Sequence, residues 1–283
     1  MNNICLYSVQ INFLNMDYNP PVIVKKYKIT RNDGKQITVN VIRDDLLVGG
    51  TKQRGLYELL EKSEYNTFVY ASPLNGYAMV ALSYCASLLN KKVVIFVAGS
   101  VHSPSTKKAI KYDGTIIFVN NTLEEAQRQA TAYAENNSAM LIPFGGDSPQ
   151  FSKILYKNMK KATKHIAEPF RIWIPIGSGT LSRAIMKLWP NSKIMPIRIG
   201  KNVWEDQYTA TDWKRMGGRK RIDNLRVIND PKLPKLKGFE YQRFDEPAPV
   251  FPPWPSMRTY DAKVYQRILQ FGQDGDYVWN VAP

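Results

Sequence analysis

Two short stretches carry residue types that could do chemistry, and they lie far apart in the chain. The first is Arg43-Asp44-Asp45-Leu46-Leu47-Val48-Gly49-Gly50-Thr51-Lys52-Gln53-Arg54-Gly55-Leu56, which puts a lysine where an extended run turns, through two glycines, into a helix. A lysine on so tight a turn faces a cleft instead of open solvent. Partial desolvation there favours the neutral amine, the form that attacks an aldehyde. The second stretch is Gly177-Ser178-Gly179-Thr180, set between the apolar run 172–176 and a helix beginning near Leu181. Small residues between a strand and a helix start aim backbone N–H groups and hydroxyls at a phosphate, and the helix dipole assists. The loop lacks the length and the lysine of a nucleotide P-loop, and it lacks the spacing of a dinucleotide fingerprint.

The elements that must position these stretches follow from hydrophobic periodicity. Residues 23–30 and 36–42 read as strands joined by an Asn32-Asp33-Gly34 turn, and 55–62 as the helix after Lys52. Strands at 67–71, 92–98, 115–119 and 139–143 then alternate with helices at 76–89, 105–112 and 123–136. Thr122 is the expected N-cap of the last of these, with Glu125 in capping-box position. The series resumes with a basic helix at 151–166, a strand at 170–176, a helix at 181–189 and a strand at 193–199. A Pro-rich tail ends in a helix at 261–271 and a strand at 277–281. β-Branched strands alternating with helices imply an α/β fold with parallel pairing and crossovers.

Composition narrows the function classes. With 44% hydrophobic residues and 12% aromatics over 283 residues, the chain can bury a sizeable core. No apolar run reaches membrane-spanning length, and the N-terminus lacks the pattern of a signal peptide, so a cytoplasmic location is expected. Cys5 and Cys85 are too few for a disulfide framework and lack metal spacing, and Cys85 reads as core. Only His102 and His165 are available for a histidine-based zinc site or catalytic triad, and no metal is expected. The formal net charge of +15 suits a polyanionic partner.

A lysine turn and a phosphate loop in two α/β segments are the two ends of a pyridoxal 5'-phosphate (PLP) site. On these residues the chain resembles the fold-type II PLP-dependent enzymes, the tryptophan synthase β-like group. The nearest likeness is to its aminocyclopropane-carboxylate deaminase and D-cysteine desulfhydrase branch. The resemblance rests on Arg43-Asp44-Asp45 with Gly49-Gly50-Thr51-Lys52, on Ser72-Pro73-Leu74-Asn75-Gly76-Tyr77 with its helix, and on Gly177 to Thr180. The helix-to-strand segment Lys111-Tyr112-Asp113-Gly114-Thr115 adds to it, so it covers roughly residues 36–200.

The resemblance implies two three-layer α/β domains with the cofactor in the cleft between them. Residues 1–63 and 146–283 would form the large PLP-binding domain and 64–145 the small one. Lys52 would be the Schiff-base lysine and then the base or acid at the substrate Cα. Gly177, Ser178, Gly179 and Thr180 would cradle the phosphate. Ser72, Asn75 and Gly76 would hold the substrate carboxylate, and either Asn75 or Tyr77 would lie against the ring. The partner of the ring nitrogen would be Asn280 or the terminal carboxylate, since the acidic partner of the deaminase branch is not evident. Gly145-Gly146-Asp147-Ser148 either lines the cleft or simply closes a loop into the next helix. Homodimers are common in this group, which makes a homodimer an expectation by analogy.

The tail and the charge bear on the substrate. Pro252-Pro253-Trp254-Pro255-Ser256, Tyr260-Asp261-Ala262-Lys263 and Trp279-Asn280-Val281 resemble the ending of short, phage-borne members of the group. Those members are linked to hypermodification of DNA bases such as thymidine, which would place the protein in the host cytoplasm. Lys153, Lys157, Lys161 and Lys164 share one helix face, and the segment 214–237 holds nine Lys or Arg against Asp223 and Asp230. Within it Lys214, Arg215, Arg219, Lys220 and Arg221 are the candidate nucleic-acid contacts, with Trp213 able to stack on a base. The expected activity is a lyase acting on an amino-acid group of a modified DNA base, by decarboxylation or elimination. Deamination or desulfhydration of a free small amino acid is the alternative, and a non-catalytic nucleic-acid-binding relative the third reading.

Overall fold

The computed structural model describes residues 17–120, 122–199 and 244–283. The strands are β1 (Val24–Thr30), β2 (Gln36–Arg43), β3 (Thr67–Pro73), β4 (Lys92–Ala98), β5 (Gly114–Val119), β6 (Met140–Ile142), β7 (Arg171–Ile176), β8 (Lys193–Arg198) and β9 (Tyr277–Asn280). The α-helices are α1 (Gln53–Glu61), α2 (Ala78–Leu88), α3 (Pro104–Lys111), α4 (Leu123–Asn136), α5 (Pro149–Ala162), α6 (Thr180–Leu188) and α7 (Ala262–Phe271). They build two sheets. One has the order β5-β4-β3-β6 and is parallel throughout; the other has the order β1-β2-β9-β7-β8. Only the β1–β2 hairpin of the second sheet is antiparallel, closed at Asn32-Asp33-Gly34 by Gly34 N–H donating to the Arg31 carbonyl at 3.0 Å. Strands from the two ends of the chain meet there, with Ile42 in register with Trp279.

The apolar periodicity explains the layering. Along β7 every residue is buried, as expected of a strand covered on both faces, whereas β1 alternates and exposes Lys25, Lys26 and Lys28 along the sheet edge. One continuous core joins Ile42 and Leu56 to Phe68, Met79, Phe151 and Trp279 and so takes residues from both sheets, while separate clusters around Val41 and Trp173 and around Val69 and Val94 cover their other faces. Cys85 is buried in it, with its thiol pushed up by burial, as expected of a core residue.

Several boundaries differ from the sequence-based expectation, each for a local reason. The helix expected at 151–166 runs from Pro149 to Ala162, because the Ser148 hydroxyl caps Phe151 N–H at 3.2 Å and Pro149 takes the first helical position. Lys164 therefore falls beyond the helix end, and Lys157 is paired with Glu58 at 2.5 Å instead of standing in a free row. Burial alone would raise the Glu58 pKa, but hydrogen bonds from Lys157, Lys62 and Asn158 outweigh it and hold it at about 2. Thr122 caps α4 as expected, while the Glu125 carboxylate turns to Arg128 and Gln129.

The turn that carries Lys52 is fixed from behind by a buried carboxylate. Asp44 is fully buried and accepts from Arg54 at 2.7 Å, from the Thr51 hydroxyl at 2.9 Å and from Trp279 Nε1 at 3.1 Å. Arg54 also donates to the Asn19 side chain and the Pro20 carbonyl, both at 2.8 Å. Gly50 has φ +61° and lies so close to the Val281 carbonyl that any Cβ would collide with it. The strand end, the lysine turn, α1 and β9 are thus tied at one point. Asp44→Asn is expected to lower unfolding free energy by about 3–5 kcal/mol, because it strands a buried guanidinium. Urea denaturation checks this against Arg128→Ala, which removes a surface pair with Glu125 and is expected to shift the midpoint far less.

Candidate active site

A cleft of about 240 Å³ opens at the C-terminal ends of β3, β7 and β9, where ligands of parallel α/β sheets sit. Both chemically suggestive stretches line it, and one carbonyl joins them. Gly145 O accepts from Lys52 Nζ at 2.6 Å and from the Thr180 hydroxyl at 3.3 Å, and the Ser178 hydroxyl stands 3.0 Å from that of Thr180. Gly145 has φ +71° and passes directly beneath Ser178, where a Cβ would clash. Gly145 therefore lines the cleft, while Gly146 lets the turn close into α5 against Phe151.

Lys52 is placed as a nucleophile requires. Its amine is enclosed beside the Phe151 ring, 5.8 Å from the centroid. Burial lowers its pKa to about 8, Asp147 opposes that shift, and Arg183 adds to it. The loop Gly177–Thr180 runs from β7 into α6, whose first N–H groups have no partner within the helix. Thr180 and Ser178 hydroxyls stand beside those groups. The arrangement offers both donors and dipole to an anion.

The other candidate residues divide. Gly76 and Tyr77 line the cleft, and the Tyr77 hydroxyl donates to the Val48 carbonyl at 3.0 Å and accepts from Lys108 at 3.0 Å. Ser72 is fully buried beneath Gly76, with its hydroxyl donating to the Pro73 carbonyl at 3.0 Å. The Asn75 carbonyl accepts from Ser105 at 3.5 Å. Ser72 and Asn75 are not among the described lining residues. Asn280 is turned toward the Pro-rich segment: its amide donates to the Pro255 carbonyl at 2.7 Å and accepts from the Ser256 hydroxyl at 2.9 Å. Lys214, Arg215, Arg219, Lys220, Arg221 and the rest of the basic segment 214–237 lie outside the described residues.

Two further groups emerge only from the fold. Tyr260 lines the cleft with its hydroxyl against Gly177. Asp261, the next residue, is buried and accepts from Val281 N–H at 3.0 Å, just behind the cleft-lining Val281 and Ala282. Its Oδ2 has no hydrogen-bond partner among the described residues, and burial pushes its carboxyl well above the usual range. In sequence an Asp opening an amphipathic helix reads as an N-cap. Here it caps nothing, which is why its environment was not legible. The groups around the loop are equally indirect: Arg183 donates to Asp147, to the Thr180 hydroxyl and to the Ser178 carbonyl.

No family model matches this chain, and no curated protein sequence matches it. Solved structures do. The chain superposes on an ACC deaminase homologue with TM-score 0.63 at 14% identity, covering 94% of this chain and 90% of the other. It superposes on processed threonine deaminase isoform 2 from Solanum lycopersicum with TM-score 0.58 at 14% identity, covering 87% and 75%. Holo diaminopropionate ammonia lyase from Escherichia coli gives TM-score 0.56 at 9% identity, covering 95% and 86%. That lyase has also been solved with an aminoacrylate–PLP azomethine reaction intermediate. These likenesses establish the fold: the α/β arrangement of fold-type II enzymes, as the resemblance implied.

The lowered amine has a consequence for stability. Between about pH 8 and 10.5 the unfolded chain keeps a proton on Lys52 that the folded chain releases, so folding gains stability as pH rises through that window. Below about pH 8 the burial penalty is full. Lys52→Met is therefore expected to be more stable than the parent at neutral pH, with the difference shrinking toward pH 10.5; urea midpoints at both ends of the window check it.

Proposed function

We propose that this chain binds pyridoxal 5'-phosphate and acts as a lyase, breaking a bond at Cα or Cβ of an amino-acid group by elimination or deamination. The observation that carries this is the enclosed Lys52 amine sharing the Gly145 carbonyl with the Gly177–Thr180 loop. The residues present fit the cofactor. Lys52 supplies an amine neutral near pH 8, and the loop supplies hydroxyls and helix-start N–H groups for a phosphate. Asn280, engaged by Pro255 and Ser256, is not free to meet the ring nitrogen. When bound, the cofactor supplies an aldehyde for the amino group and a ring that delocalises the electron pair left at Cα.

The chain's own residues supply the rest. Lys52, as the neutral amine, would hold the cofactor aldehyde and would take or return the proton at Cα. The Gly177–Thr180 loop would anchor the phosphate and so orient the cofactor toward Lys52. Phe144, Leu155 and Met257 line the cleft with apolar surface that limits water around a reactive electron pair. Gly76 and Tyr77, which line the cleft just before α2, would receive the substrate carboxylate. Solved lyases and deaminases of this fold support the reading.

A second reading concerns what carries the amino acid. The formal charge of +15 and the exposed Lys153, Lys160 and Lys161 on α5 favour an amino-acid group borne on a modified DNA base over a free metabolite. Each phosphate contacted is expected to add about 0.9 to the slope of log affinity against log salt. Salt-independent, weak binding would favour the free amino acid. For the enzyme reading, added cofactor is expected to give a visible absorbance band that borohydride abolishes, and Lys52→Ala should lack both band and turnover. A band unchanged in Lys52→Ala would overturn the assignment.

A further inference from the structure

Arg183 and Asp147 stand outside the cleft lining, paired with each other beside the Gly177–Thr180 loop. Arg183, on the first turn of α6, reaches back along its own helix start. Its guanidinium donates to the Ser178 carbonyl at 3.4 Å, to the Thr180 hydroxyl at 3.3 Å and to the Asp147 carboxylate. Asp147 closes the short turn after Pro143, two residues beyond the Gly145 carbonyl that holds Lys52. That turn also touches its neighbours directly: Gly145 lies against Ser178, its carbonyl accepts from the Thr180 hydroxyl at 3.3 Å, and its N–H donates to the Tyr70 hydroxyl at 3.3 Å. The only covalent connection between the two segments runs through α5 and β7, more than thirty residues of chain. The ion pair is therefore a short polar link between the lysine's acceptor and the loop.

We propose that Arg183 and Asp147 form a positioning pair that clamps the Gly145 turn to the Gly177–Thr180 loop, fixing the Lys52 amine relative to the bound phosphate and balancing the charge it faces. This rests on the reading of Lys52 as the amine that meets the cofactor aldehyde. Neither residue touches the reacting atoms; both act through Gly145 and Thr180. The groups facing Lys52 from each packed element are Asp147 before α5, Arg183 on α6, the Phe151 ring on α5 and, through Gly145, the Tyr70 hydroxyl on β3. Tyr70 is raised to about 12 by burial and stays neutral through the working range. Asp147 and Arg183 are thus the charges that bear on the amine, and they act with opposite sign.

A pair that balances charge makes a prediction that a merely structural pair does not. Removing the carboxylate unmasks the guanidinium, and removing the guanidinium unmasks the carboxylate. The test is the pH dependence of Lys52 acylation by acetic anhydride in the full chain without cofactor, read by mass spectrometry of the peptide holding Lys52. Parent protein is expected to reach half-labelling near pH 8. Asp147→Asn should move that midpoint down and Arg183→Met should move it up, each by about one unit. The charge-keeping variants Arg183→Lys and Asp147→Glu guard against misfolding: they should stay near the parent midpoint while weakening retention of added cofactor. Midpoints that move in the same direction, or do not move, overturn the proposal. The two readings separate cleanly, because opposite shifts without any cofactor adduct would keep the pair and sink the PLP assignment. A Lys52 adduct without opposite shifts would do the reverse.

Discussion

The site depends first on one buried carboxylate. Asp44 accepts hydrogen bonds from Arg54, Thr51 and Trp279, and all four side chains are sealed from solvent. Burying a lone carboxylate there would be costly; the guanidinium, the hydroxyl and the indole N–H around it supply the partners that burial takes away. Its partners come from the lysine turn, the helix after it and the last strand of the chain. Satisfying one anion therefore ties the last strand to the strand end, turn and helix start of residues 44–54, and Lys52 projects from that corner into the cleft.

From there the geometry of parallel sheets does the rest. Strands of both sheets end on the same cleft, so loops after β3, β7 and β9 converge where no strand could reach alone. The proposed chemistry needs two conflicting environments within a few ångströms. Lys52 must be desolvated enough to lose its proton near neutrality, while the neighbouring loop must welcome a phosphate. The structure resolves the conflict by division of labour. Apolar walls and the Phe151 ring act on the amine, backbone donors and hydroxyls serve the anion, and the Arg183–Asp147 pair sits outside both.

Much of this was legible in the sequence because it is local. The Gly49-Gly50 turn before Lys52, the small-residue loop before α6 and the alternation of strands with helices are written in consecutive residues. What could not be read is what depends on contacts between distant segments. Asp44 looks like part of a strand-end motif, and only the return of β9 with Trp279 shows it to be an anchor. Asp261 looks like a helix cap, yet its carboxyl turns to Val281 and is left half-satisfied. Asn280 looks available for a ring contact, yet Pro255 and Ser256 occupy it. Ser72 sits in the expected loop, but Gly76 folds over it. Residue type carries propensity; the partner that uses it is set by topology.

The central claim is that Lys52, alone among the described lysines, is built to hold an aldehyde cofactor. The most direct measurement is to add pyridoxal 5'-phosphate to the full chain, reduce with borohydride and map the modified peptide by mass spectrometry. The account predicts one stoichiometric phosphopyridoxyl group on Lys52. Modification spread over exposed lysines such as those of β1 and α5, with none on Lys52, would contradict it.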